Sequence, residues 1–354
     1  MAAKALHISA VAIVPGDSLV PSRNGESSTV SAKLYDSYAR RGVVYAILGL
    51  PISTLQLLRI LRRLESRCVV ASTPSPFIPF QALIASRILN VGYVLDVRDS
   101  WEMETVTHRG LLRNMIKKWL EKLCAQSADK VWTVTSTLME RLRQTYTLDP
   151  HSLSLVPNGA DRTLFRPAQE SRPIDLLFLG SFARYRNIDG VLEALAVLIH
   201  LRPNSRVVFV GGEKTPFHNP GSVLSTIEFR PSVPRKMAAR IVAEARLGIV
   251  SFSNEDVFRG AIGAKAYEYI ACGVPLACLG PAGDSELRDM VESRKLGFYS
   301  STPAEFAEKA ARILSDDDLW TQLSGNCINA SSEFDRAKVS QRALKTVVGQ
   351  LSPR

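Results

Sequence analysis

The sequence has no run long and apolar enough to cross a membrane. Its longest uncharged stretch, Gly42 to Leu58, is broken by Gly49, Pro51, Ser53, Thr54 and Gln56 and falls short of the roughly 18 to 20 apolar residues that a spanning helix needs. Cysteine is sparse: Cys68, Cys124, Cys272, Cys278 and Cys327 are scattered, odd in number and without a CxxC pair. A disulfide framework and a Cys-rich zinc site are thereby disfavoured, and a reducing compartment is expected. His7, His108, His151, His200 and His218 show no H-E-x-x-H or other paired spacing, so no metal site is expected. The chain lacks a G-x-x-x-x-G-K-[ST] loop, and its one G-x-x-G fragment, Gly260 to Gly263, precedes a helical stretch without the full G-x-G-x-x-G. P-loop and dehydrogenase chemistry are disfavoured. A signal peptide is not predicted over Ala5 to Val14, where His7 and Ser9 interrupt the apolar run and Pro15-Gly16-Asp17 follows it; a first β-strand is expected there.

What is present is an ordinary globular composition, 46% apolar and 22% charged over 354 residues, enough for two domains of roughly 100 to 200 residues each. Basic side chains outnumber acidic ones 44 to 34, and the surplus is uneven. Residues 1–167 hold 21 Lys and Arg against 13 Asp and Glu, a net of +8, while the remainder is nearly neutral at +2. A basic first half suits an anionic partner such as lipid phosphate, a nucleotide or nucleic acid, or is simply a solvated basic surface.

Short β-branched runs alternate with helical patterns along the whole length. Strands are predicted at Cys68–Ala71, Tyr93–Val97, Val131–Val134 and Leu153–Val156, then at Leu176–Leu179, Arg206–Gly212, Ser225–Phe229, Leu247–Ser251 and Pro275–Cys278. This is the rhythm of an α/β chain with parallel sheets. The polar, proline-containing piece Ala168 to Pro173 is the best domain boundary, leaving two Rossmann-like halves. Ligands of open parallel sheets sit beyond the carboxyl ends of the strands, so two such domains facing each other would build a cleft.

Two helices in the first half are amphipathic and basic. Leu111, Leu112, Met115, Ile116, Trp119, Leu120 and Leu123 form one apolar stripe, surrounded by Arg109, Arg113, Lys117, Lys118 and Lys122. Ile52 to Arg67 sets Leu55, Leu58, Leu61 and Leu64 against Arg59, Arg62, Arg63 and Arg67. Packing on a sheet with solvated basic faces and docking on a membrane surface fit these patterns equally.

The segment richest in chemistry is Gly263 to Leu276, a helix ended by Gly273 and Pro275 that leads into an apolar strand. Lys265 and Glu268 lie three apart near the helix start, where backbone N–H groups and the helix dipole favour a phosphate. Lys265 offers a point charge to a diphosphate and Glu268 an acceptor to ribose hydroxyls. On residue types alone, the plainer reading is a surface i, i+3 ion pair.

In context this segment resembles the K-x-x-E-Y-x-A-x-G-x-P stretch of GT-B, retaining, nucleotide-sugar-dependent glycosyltransferases (family-4-like), most closely the branch that builds O-antigen, capsule and exopolysaccharide. LLFLGSFARYRN, from Leu176 to Asn187, resembles the strand and loop that opens the family's second domain, and VPNGADRTLF, from Val156 to Phe165, its PNG-x-D-x-x-x-F hinge. In the first half, VASTPSPF (Val70 to Phe77) and VLDVRDSW (Val94 to Trp101) resemble the SPP and D-x-R-D-x-W segments, and Asn24-Gly25 stands where the family has a Gly-rich loop.

The resemblance implies an α/β, GT-B fold of two Rossmann-like domains facing each other across a cleft. Residues 1–167 would bind the acceptor, 168–330 the nucleotide sugar, and 331–354 would form a helix returning to the first domain. It places the ribose on Glu268 and the diphosphate on Lys265 and Arg186, with backbone help from Gly25 and Arg184 as a further phosphate contact, since Ser181 replaces a common phosphate-binding Arg. Asp99, preceded by Arg98 in place of the family's His, would face the cleft; otherwise it caps the next segment with Arg98 as its ion pair. Gly260 stands where the family has an acid that reads donor-sugar hydroxyls.

The activity implied is retaining transfer from a UDP- or GDP-sugar to a lipid-linked saccharide. The family needs no metal and no cofactor besides the donor, and the implied place is the cytoplasm, peripheral on the inner face of the membrane at an anionic surface. A nucleotide-sugar epimerase of the same fold is the alternative. A nucleic-acid-binding protein is disfavoured by the 7% aromatic content and by the absence of helix-turn-helix, zinc-finger or RNP signatures.

Overall fold

The structure, a computed structural model, describes residues 11–15, 28–32, 43–73, 77–98, 111–168, 171–211 and 225–348. The chain divides into two compact units, residues 1–157 with 340–354, and residues 158–339. Composition placed the boundary at 167/168, ten residues later. The difference has a local cause: Ala160 bridges to Asp335, its N–H donates to the Phe334 carbonyl at 3.0 Å, and the Arg336 N–H donates back at 2.9 Å. These bonds tie the segment after Pro157 to the second unit.

In the first unit, β1 (Val11–Pro15) pairs with β2 (Ser28–Ala32), and β3 (Cys68–Ser72), β4 (Gly92–Val97), β5 (Lys130–Thr133) and β6 (Leu153–Leu155) form a parallel sheet in that order. Its core gathers Val69, Ala71, Tyr93, Leu95 and Val131 from the sheet with Leu57 and Leu61 of the helix Val43–Arg63. That helix begins nine residues before the predicted Ile52, inside the uncharged stretch, and ends where Glu65 turns left-handed at φ 49°. The final helix, Arg336–Val348, returns its later part to this unit, where Trp132 Nε1 donates to Thr346 Oγ1 at 3.0 Å.

The helix Leu111–Ser127 presents a different face than its apolar stripe predicts. The buried positions are Lys117, Leu120, Glu121, Cys124 and Ala125, a 3.6-residue periodicity, and the Glu121 carboxylate accepts from the Tyr146 hydroxyl at 3.1 Å. Met115, Ile116 and Trp119 are turned outward at 65%, 46% and 60% exposure. The basic ring is thus not uniformly solvated: Lys117 is inside, whereas Lys118 and Lys122 are exposed.

The second unit holds a six-stranded parallel sheet in the order β12-β11-β10-β7-β8-β9, formed by β7 (Ile174–Leu179), β8 (Val207–Val210), β9 (Ile227–Arg230), β10 (Ala245–Ser251), β11 (Leu276–Leu279) and β12 (Gly297–Ser300). Strand order reverses between β7 and β10, the switch point of a doubly wound sheet, so the loops leaving these two strands splay apart above it. The central strands are buried on both sides, as apolar runs such as Leu176–Leu179 require.

Candidate functional site

Three of the predicted residues meet at that switch point. Arg186 closes a short 3₁₀ turn, Arg184–Arg186, after β7, and Lys265 and Glu268 lie on the helix Ala264–Ala271 that follows β10. Gly248 and Tyr269 hold the helix in place. A Cβ at Gly248 of β10 would run into the Tyr269 ring, so the glycine leaves room for that ring to lie flat, and the Tyr269 hydroxyl donates to the Leu177 carbonyl of β7 at 2.9 Å. Complete burial raises the Tyr269 pKa far above the ordinary phenol value, so it acts as a neutral donor.

The helix begins at Gly263 with no capping side chain. A Cβ at Gly263 would sit 3.3 Å from Arg186 Nη1, so the glycine admits the guanidinium against the helix start. Aromatic rings flank that guanidinium, Tyr185 at 4.9 Å and Phe252 at 5.3 Å, and Phe258 stacks on both rings. Uncapped N–H groups, the helix dipole and an Arg presented between rings make a site for an anion.

The Lys265–Glu268 pair is more than a surface contact. Lys265 Nζ donates to Glu268 Oε2 at 2.8 Å, but the two side chains differ in setting: Lys265 is 36% exposed and Glu268 only 5%. The other oxygen, Oε1, lies 3.5 Å from Arg235 Nη2. Arg235 begins the helix Arg235–Ala243, and its guanidinium covers the ring of buried Phe165 at 5.5 Å. Sequence reading missed Arg235, which stands 33 positions from Glu268 with no local pattern to join them. It likewise missed the aromatic flanks of Arg186.

Of the remaining predicted residues, Gly25 and Asp99 lie outside the described residues, as does the side chain of Arg184. Arg98 Nε donates to Asp96 Oδ2 at 2.8 Å, at the carboxyl end of β4. Asp161 acts as a turn residue, accepting from the backbone N–H and hydroxyl of Thr163. The Thr163 hydroxyl is the main cause of the lowered Asp161 pKa, with the charge of Arg235 contributing. Among the described residues, no group of three or more His, Cys, Asp or Glu is placed to hold a metal.

Residues 4–159 match the glycosyl transferase 4-like domain, and residues 173–316 match the glycosyl transferases group 1 domain. The chain is 26% identical over 248 residues to a D-inositol 3-phosphate glycosyltransferase of Thermobispora bispora, covering 63% of this chain and 56% of that protein. A GDP-Man:Man(3)GlcNAc(2)-PP-Dol alpha-1,2-mannosyltransferase of Dictyostelium discoideum is 24% identical over 190 residues, covering 49% of this chain and 36% of that protein. In these alignments the chain spans about half the length or less of the curated relatives it matches. Among solved structures, sucrose-phosphate synthase from Thermosynechococcus elongatus superposes with a TM-score of 0.72 at 16% identity, covering 99% of this chain and 90% of that one. The Anabaena protein HepE in complex with UDP-glucose gives 0.63 at 15% identity, covering 84% and 82%.

Proposed function

Because the chain belongs to the GT-B, family-4-like glycosyltransferases, we propose that it transfers a sugar from a UDP- or GDP-sugar to a lipid-linked saccharide, with retention, in surface polysaccharide biosynthesis. The observation that carries this reading is the convergence of Arg186, Lys265 and buried Glu268 at the switch point of the six-stranded sheet. The nucleotide of the HepE complex, on a chain of similar fold, supports the donor class.

In this reading Glu268 accepts the ribose hydroxyls. As the bond from sugar carbon to phosphate oxygen breaks, negative charge grows on the departing diphosphate, and Arg186, Lys265 and the N–H groups of the uncapped helix neutralise it. With departure and attack on one face of an oxocarbenium-like sugar, the acceptor hydroxyl bonds to the sugar carbon and gives its proton to the departing phosphate oxygen, so no protein nucleophile is required. Asp99 remains the candidate from the family resemblance for contact with donor or acceptor. No metal or other cofactor is invoked, so turnover should persist in excess EDTA.

The acceptor half rests on the first unit. Outward-facing Met115, Ile116 and Trp119 with Lys118 and Lys122 beside them suit insertion at an anionic lipid surface, and the +8 charge of residues 1–167 adds long-range attraction. This is the basis for proposing a cytoplasmic enzyme, peripheral on the inner face of the cell membrane.

A thermal-shift screen across UDP-, GDP-, ADP- and dTDP-sugars, followed by product analysis with and without a lipid-linked acceptor, tests the reading. Nucleoside diphosphate released only when acceptor is present is the expected result. Conversion of the nucleotide sugar without acceptor would favour an epimerase, and no shift with any nucleotide would overturn the donor assignment.

A further inference from the structure

We propose that Arg235 is the positioning residue of the nucleotide site, giving Glu268 a countercharge and keeping it aimed at the ribose while Lys265 is engaged by the diphosphate. This rests on the reading of Glu268 given above. A carboxylate that is only 5% exposed needs a countercharge, because burial disfavours its ionised form. Two cations face it: Lys265 at Oε2, 2.8 Å away, and Arg235 at Oε1, 3.5 Å away. Tyr269 and Cys272, whose ionisation is suppressed by burial and by the charge of Glu268 itself, add none.

The two cations are held differently. Both are partly exposed, Lys265 at 36% and Arg235 at 47%, but Lys265 is an ammonium on a flexible stem, three residues from its partner on the same helix, and can turn to a phosphate without moving the backbone. Arg235 comes from a separate helix, and its planar group lies over the buried ring of Phe165, with its charge also acting on Asp161. It is seated on the segment that opens the second unit and has reason to stay.

Once a diphosphate takes Lys265, Glu268 loses its 2.8 Å partner and keeps Arg235. At 3.5 Å the guanidinium is at the long limit of a hydrogen bond but well within the range of strong Coulomb attraction. It can therefore remain the carboxylate's countercharge while leaving the Oε1 lone pairs to a ribose hydroxyl. An anionic ligand thus borrows one cation from a site that has two, rather than stripping a buried carboxylate bare.

The test compares UDP and GDP with their 2′-deoxy counterparts by calorimetry on the full chain, in the parent and in Glu268→Gln, Arg235→Ala, Arg235→Gln and Arg235→Lys. The parent should prefer the ribonucleotide by about tenfold, the usual worth of one hydrogen bond to a charged group. Glu268→Gln should erase most of that preference. Arg235→Ala and Arg235→Gln should reduce it several-fold, and Arg235→Lys should restore part of it. If both uncharged variants keep the parental ribo-to-deoxy ratio, or lose affinity equally for both sugars, Arg235 does not position Glu268. If the parent shows no preference, or Glu268→Gln retains it, the ribose role of Glu268 itself fails and takes this proposal with it.

Discussion

Among the described residues, each unit has a buried carboxylate against an arginine, Asp96 in the first and Glu268 in the second, and the two arrangements differ in the number of cations. In the first unit, Asp96 is 6% exposed; its Oδ2 accepts from Arg98 Nε at 2.8 Å, and among the described residues its Oδ1 has no hydrogen-bond partner. The backbone N–H of Arg98 is itself pinned to Thr73 Oγ1 at 2.9 Å, so the pair fastens the ends of β3 and β4 together. In the second unit, Glu268 has a cation at each oxygen, one on a flexible stem and one seated on an aromatic ring. On the proposed reading of Glu268, the surplus separates a site from a fastener. Where two cations share one carboxylate, an incoming anion can take one of them; where one cation matches one carboxylate, taking it leaves a buried charge behind.

The sharpest way to break this comparison is to remove cations from the second unit and measure rate against stability. Lys265→Ala and Arg186→Ala should each lower the transfer rate by about 10² to 10³, the usual loss for one group that stabilises developing charge. Each should change folding free energy by no more than about 1 kcal/mol, because neither leaves a carboxylate without a countercharge. Near-normal turnover in both variants would dissolve the distinction between the two units.

Stability variants come next. Gly248→Ala drives a methyl group into the Tyr269 ring and should cost about 1 to 3 kcal/mol of stability, with the helix that carries Lys265 and Glu268 displaced and nucleotide binding weakened in parallel. Arg98→Ala should cost a similar amount, about 1 to 3 kcal/mol, by leaving buried Asp96 unmatched, yet spare nucleotide binding. Denaturant melts and calorimetry on the two variants separate these outcomes; a nucleotide-binding defect in Arg98→Ala would mean that the fastener is a site as well.

How these features read from the sequence follows from what each one depends on. Buried parallel strands announce themselves as unbroken apolar runs, and those from Cys68 to Cys278 are where such runs predict them. β12, Gly297–Ser300, escapes because only Phe298 and Tyr299 stand between its glycine and its serine, too few to carry a pattern. The inward face of Leu111–Ser127 is not legible from hydropathy, whose apolar stripe fits packing and membrane docking equally. Packing against the sheet and the neighbouring helix selects Lys117 and Glu121 together with Leu120 and Cys124, and leaves Met115, Ile116 and Trp119 outside. At the site, Lys265 and Glu268 are legible because a single helix turn joins them, and Arg186 because the family resemblance places it after a strand. Arg235 reaches Glu268 only through tertiary structure, across 33 residues with no periodic signal.

Glu268→Gln sharpens the comparison from the side of the carboxylate. A carboxylate accepts from two ribose hydroxyls, while the amide accepts only at its oxygen and turns an NH₂ toward the second. Nucleoside diphosphate affinity should fall about tenfold, and the melting temperature should hardly change, because the surrounding cations lose an anion but can reach solvent: Lys265 is 36% and Arg235 47% exposed. Unchanged affinity for both UDP and GDP would reject the ribose role.

The smallest effects belong to the exposed basic residues of the first unit, and there the two kinds of lysine on one helix provide an internal contrast. Lys118 and Lys122 are exposed beside Met115, Ile116 and Trp119, so if this face meets anionic lipid, Lys118→Ala and Lys122→Ala should each weaken vesicle binding by about 1 kcal/mol or less, an effect that fades as salt screens the charges. Trp119→Ala should weaken binding at high salt as well, because ring insertion does not depend on charge. Lys117 is 6% exposed on the opposite side, so Lys117→Ala should change the melting temperature and leave the salt-dependent part of lipid binding intact. Flotation with phosphatidylglycerol-containing vesicles at low and high salt reads all four variants. Equal partitioning of Lys118→Ala, Lys122→Ala, Trp119→Ala and the parent would show that the outward face of this helix has no lipid partner.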